Sequence, residues 1–330
     1  MSIAPSQGFD SKDFRAFRKA TIEPWLAQKE GERRAIERRV AIRIGIILVP
    51  VFLAIAGFML FYRADAPVSE PGRIFAFVIP AFGILAAIGG AGAYWAFSEL
   101  ESWGDRFRRD LYRLIFDRLG YRYTADSSLA LMDEVHQCGI LKDYDERHVE
   151  DRVQGAIGTT QFDLSDCKLV KRYKQRNAGD VRETVFHGLI GSFTYPKPFH
   201  GQTVILVDKG AIPNKLGGLL RDDRRVVLES AAFEDLFEVF STDQVEARYL
   251  LNPVFMERLI ALRQHFRAPL QAAFRDGKLY IAVDLGEDHF RNPPVHFDVS
   301  DPGEIHLVML RVRLISETIE MLKLNSPTLV

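Results

Sequence analysis

Cysteine is nearly missing from this chain: of 330 residues, only Cys138 and Cys167 carry a thiol. Neither belongs to a C-x-x-C pair, so no zinc spacing is present. The two allow at most one disulfide, and the blander expectation is a pair of reduced, partly buried thiols. Net charge is missing as well, since 43 basic and 44 acidic side chains leave -1. Such a balance provides no global field to draw nucleic acid, and no nucleic-acid partner is expected.

The familiar signatures of chemistry are also absent. The chain has no G-x-x-x-x-G-K-[ST] phosphate cradle, no H-E-x-x-H among its eight scattered histidines, and no G-x-S-x-G elbow. His136 and Cys138 stand two apart, which places two ligands on one side only in a strand, whereas this stretch reads as a helix terminus. No catalytic, cofactor-binding or metal residue is therefore assigned, no cofactor is expected, and the balance leans against an enzyme.

What the chain does have is two uncharged runs. Ile44 to Tyr62 reads IGIILVPVFLAIAGFMLFY and Ile74 to Ser98 reads IFAFVIPAFGILAAIGGAGAYWAFS. At ~1.5 Å per helical residue, each is long enough for a hydrocarbon core of about 30 Å. The first run holds twelve Leu, Ile, Phe or Val residues, worth on the order of -5 kcal/mol of insertion. The runs predict a transmembrane hairpin, with small residues of the second run (Ala86, Gly89, Gly90, Ala93) lying against the first around Ala54 and Gly57. Basic residues crowd the outer flanks, from Lys29 to Arg43 and from Arg106 to Arg113, while the connecting RADAPVSEPGR is balanced. That asymmetry predicts a multi-pass inner-membrane protein with both termini cytoplasmic.

The expected organisation is an N-terminal cytoplasmic helix over 1–43, transmembrane helices over 44–62 and 74–98, and a short external loop over 63–73. A juxtamembrane amphipathic helix follows over 99–120, then a cytoplasmic α+β domain over 121–330. In that domain Val153 to Leu164 and Lys168 to Tyr173 alternate like paired strands, as do Val181 to Tyr195, Thr203 to Val207, Val226 to Leu228 and Leu236 to Phe240. Helices are expected from Asp126 or Ser127 to Val135, over Ala211 to Leu220, from Pro253 (capped by Asn252) to Phe266, and from Asp301 to Leu324. LQAAFRDGKLYIAV reads as a hairpin turning at Asp276-Gly277. Strands on short turns with helices at irregular intervals predict a mixed domain with a mainly antiparallel sheet.

FSTDQVEARYLLNPVFMERL (Phe240 to Leu259), KLYIAV (Lys278 to Val283) and GLIGSF…GQTVILVD (Gly188 to Asp208) carry a resemblance. Through them the chain resembles the bacterial family catalogued as domain of unknown function 3137, over the helical hairpin and most of Arg106 to Lys323. The resemblance implies a membrane-anchored cytoplasmic protein and supplies no catalytic residue. Within the first motif, Asp243, Gln244, Glu246, Arg248 and Tyr249 have two readings, a helix cap with first-turn carboxylates or a binding patch. The functional expectation is a membrane-tethered binding or scaffold module, its partners the lipid bilayer and a cytoplasmic protein or anionic lipid, with a homo-oligomer allowed. The alternatives are an accessory subunit of a membrane transport or secretion assembly, and an enzyme with an unrecognised site.

Overall fold

A computed structural model describes residues 12–65, 71–126, 129–175, 179–207, 224–286, 318–322 and 324. The described chain divides into a helical unit within Arg15–Asp110 and a sheet unit within Leu111–Asn292 that takes in the last described residues.

The helical unit is built from repeat spacing. Helix α1 (Lys12–Phe17) passes through a π-helical turn (Arg18–Ile22) into α2 (Glu23–Asp65), and α3 spans Pro71–Leu119. Trp25 stacks on Phe107 at 5.3 Å, Trp103 donates to Glu32 at 3.4 Å, and Arg43 meets Glu99 at 2.7 Å. Farther along, Ile47 lies so close to Gly92 that an added Cβ would sit 2.6 Å from its Cδ1. Residue numbers rise on one helix as they fall on the other, so α2 and α3 pack antiparallel. The described small-residue contact is that of Gly92 with Ile47; the side chains of Ala54 and Gly57 lie outside the described ones.

The predicted transmembrane helices 44–62 and 74–98 are corrected here. Among the described residues, no helix is long and apolar enough to cross a membrane. That overturns the multi-pass inner-membrane placement; 66–70 of the expected loop lie outside the described residues. Freedom from charge removes one penalty, but spanning needs apolarity sustained over a whole window. Antiparallel pairing of two helices uses the same uncharged residues for a different end.

Glu30 anchors the polar side of α2. Its carboxylate accepts from Arg33 at 2.8 and 2.9 Å and from Arg34 at 2.7 Å. The Arg33 bonds, against an opposing effect of burial and with help from Arg34, lower its pKa from 4.5 to about 2. A carboxylate depressed by folding stabilises above its unfolded pKa, and that contribution is lost as pH falls through the folded value. Stability should therefore decline between pH 4.5 and 2. Glu30→Gln should cost about 1 kcal/mol at neutral pH, a cost gone at the acid end. Urea melts of both proteins across that window check it.

The sheet unit begins where α3 stops. Gly120 takes φ 78°, and Tyr121 N–H bonds back to Phe116 O at 2.9 Å. The elements that follow are β1 (Arg122–Asp126), α4 (Leu129–Cys138), β2 (Glu146–Ile157), β3 (Thr160–Gln175), β4 (Gly179–Thr194) and β5 (Thr203–Val207). Then come α5 (Ala231–Glu234), β6 (Phe237–Ser241), α6 (Gln244–Leu250), α7 (Pro253–Phe266), β7 (Leu270–Arg275) and β8 (Lys278–Asp284). All eight strands join one sheet in the order β1-β2-β3-β4-β8-β7-β5-β6, and every pairing is antiparallel.

Several local expectations hold at the residue level. Asn252 accepts from Phe255 N–H and Pro253 opens α7, while Asp276 and Gly277 turn β7 into β8 with φ of 52° and 72°. Three do not. The segment Val153 to Leu164 is cut by a turn at Gly158 (φ 60°), whose chain reversal periodicity alone hides. Residues 226–228 form no strand; beside them only Arg225 bridges to Phe240. Asp126 ends β1 and so does not cap the next helix, which is present as Leu129–Cys138, and Ser127 lies outside the described residues. The predicted helix over 211–220 and most of that over 301–324 lie outside the described residues; 318–321 are helical.

One sheet face is covered by α4, whose Leu131, Met132, Val135 and Cys138 pack on Leu169, Ile190, Val204 and Ala282. On the opposite face Phe255 of α7 lies against Phe274 of β7, with ring centroids 5.6 Å apart. Cys138 and Cys167 are free, buried thiols, and burial pushes each pKa up to about 12. Both should stay unreactive toward a thiol-disulfide reagent at pH 8 in the native protein and both should react in guanidinium, because the thiolate is the nucleophile.

Candidate interaction site

The segment that turns from β6 into α6 is a dense set of local hydrogen bonds. Asp243, at φ -135°, accepts from Val245 N–H at 2.8 Å and Glu246 N–H at 3.0 Å, and so caps α6. The hydroxyls of Ser241 and Thr203 lie 2.9 Å apart beneath it. Thr242 Oγ1 accepts from Gln202 N–H at 2.8 Å.

Among the described residues, Glu246 forms no ion pair. Its two carboxylate oxygens accept from the backbone N–H groups of His200 at 2.7 Å and Gly201 at 2.6 Å. Gly201 is required by the same contact, since a Cβ there would lie 2.6 Å from Glu246 Oε2 and 2.8 Å from Thr242 Oγ1. The β4–β5 connection is thus pinned to α6 by a carboxylate, and from below by rings. Tyr195 meets Phe274 at 4.9 Å and Phe199 meets it at 5.7 Å.

The inner face of α6 is sealed: Ala247, Leu250 and the following Leu251 are buried. The outer face is not. Val245 is 78% exposed and Tyr249, one turn on, 50% exposed. Lys197 places its ammonium 4.8 Å from the centre of the Tyr249 ring, and Arg248 donates to Gln244 O at 3.1 Å. Of the five polar residues marked in the sequence, Asp243 and Glu246 are therefore structural, while Arg248 and Tyr249 lie on the outside. Sequence spacing suggested the cap; it held no signal for Glu246 reaching a backbone 45 residues away.

Elsewhere several acids are held by neighbouring donors. Glu134 of α4 accepts from Lys278 and Tyr280, both at 2.9 Å. Burial raises its pKa, the two bonds lower it by more, and the net shift is downward. In the helical unit a cleft of about 360 Å³ is lined by Lys29, Glu32, Arg39, Glu99, Trp103 and Arg106 among others. Its acids are paired, Glu32 with Lys29 at 3.0 Å and Glu99 with Arg39 at 3.1 Å. Among the described residues, no three His, Cys, Asp or Glu side chains cluster as a metal site.

An antiparallel sheet covered by a helix on each face defines the sheet unit as an α+β domain. Residues 184–324 match the family described as "Protein of unknown function (DUF3137)". The match begins within β4 and is narrower than the span from Arg106 suggested by the motifs. No curated protein matches the chain. Among solved structures, that of the mycobacterial trehalose monomycolate transport factor A, TtfA, is 10% identical, with a TM-score of 0.31. The alignment covers 66% of this chain and 96% of that one.

Proposed function

We propose that the chain is a binding module whose sheet domain docks a protein partner on the outer face of α6. One observation carries this: a seven-residue helix is locked from beneath by its cap and by Glu246, yet it presents Val245 and Tyr249 to solvent. Side chains held in fixed positions on a rigid element lose little entropy on binding, and exposed aromatic and aliphatic groups are the usual anchors of an interface. Lys197 and Arg248 give the surroundings a positive rim, so the matching segment has an apolar anchor flanked by carboxylates.

A photo-crosslinker at Val245 in the full chain tests this. The partner captured there should be lost in a Val245→Asp, Tyr249→Ala variant of unchanged Tm, and its affinity should fall with rising salt. Capture that survives both the double substitution and salt would overturn the assignment, as would no capture at all.

A further inference from the structure

Helix α2 carries two stripes, and α3 covers only one. Trp25, Glu32, Arg43 and Ile47 make the contacts to α3. One residue is ~100° of helical rotation, so Ile42 and Ile46 lie about a quarter turn from Arg43 and Ile47. Ile42, Ile46, Val49 and Leu53 follow at steps of four, three and four, the spacing of a coiled-coil seam. They are 63%, 67%, 57% and 64% exposed, and the flanking Leu48 and Phe52 are exposed too.

The geometry points to a second copy of this chain as the occupant of that stripe, with the two α2 helices antiparallel. The stripe is complementary to itself because its spacing reads the same in both directions. Ile42 then faces Leu53 of the other copy, and Ile46 faces Val49. Burying these four residues and their flanks from both copies removes on the order of 1,000 Å² from water, about the least a specific interface needs. Charge selects the direction. Arg38 is exposed just before the stripe, while Arg39 is held by Glu99; a parallel pair would bring the two Arg38 guanidinium groups level, whereas the antiparallel pair places them at opposite ends.

The test uses the full chain with single cysteines, since Cys138 and Cys167 are buried. Across an antiparallel pair, position 42 meets position 53, while the two copies of position 42 stand ~16 Å apart along the axis, beyond the ~7 Å Cα separation a disulfide allows. Mixed Ile42→Cys and Leu53→Cys chains should form a disulfide-linked dimer on mild oxidation, and Ile42→Cys alone should form little. Ile46→Glu should reduce the mass in solution from dimer to monomer. A wild-type chain that is monomeric at tens of micromolar would overturn the proposal. So would Ile42→Cys crosslinking to itself as readily as to Leu53→Cys, or assembly indifferent to Ile46→Glu.

Discussion

Gly188→Ala is expected to leave no folded sheet domain. A Cβ at this position would lie 1.8 Å from the carbonyl oxygen of Val283 and 2.9 Å from its carbon. Both atoms are backbone, so no rotamer can relieve the clash. The strands cannot part locally either, because Gly188↔Asp284 is the first rung of a ladder that runs on to Thr194↔Lys278. That ladder carries Ile190 and Ala282 of the core under α4. The loss belongs at the far end of single-substitution effects, beyond about 4 kcal/mol. Circular dichroism melts check it, and a cooperative transition within a few degrees of wild type would show that β4 and β8 are not held as described.

Glu246→Ala should lower stability by about 3 kcal/mol, since two charge-assisted hydrogen bonds to backbone N–H groups are lost together. The loss should be local in origin. Amide exchange at His200 and Gly201 should quicken far more than exchange in β7 and β8. Glu246→Gln should recover only part, because an amide offers one acceptor oxygen and turns an N–H group toward a second donor. By contrast, Tyr249→Ala, on the outer face of the same helix, should cost little stability. A Tyr249→Ala loss equal to that of Glu246→Ala would make the whole motif structural.

What could be read from the sequence follows the range of the interactions involved. Asn252-Pro253 and Asp276-Gly277 act within four residues, so their structural consequences were visible. The antiparallel character of the sheet followed from short connections. Its strand order did not, because β4 pairs with β8 across 84 to 96 positions, and no local pattern encodes which strand arrives. Glu246 reads from the sequence as a polar residue in the first turn of a helix, but its partners are backbone groups of a distant connection. The uncharged runs were the costliest case: lack of charge is shared by spans and by paired helices, and the antiparallel contacts of Trp25, Arg43 and Ile47 are tertiary facts.

The strand order also constrains how the domain comes into being. β5 shares rungs with β6 on one side and with β7 on the other, and β1 to β4 form their own meander, so the two groups have no common ladder until β7 and β8 exist. On a ribosome, roughly the first 270 residues must wait as two unjoined fragments with open edges. The late hairpin then closes the sheet like a keystone. A nascent chain stalled before Leu270 should be a target for chaperones, and release of that hold should coincide with the emergence of Asp284.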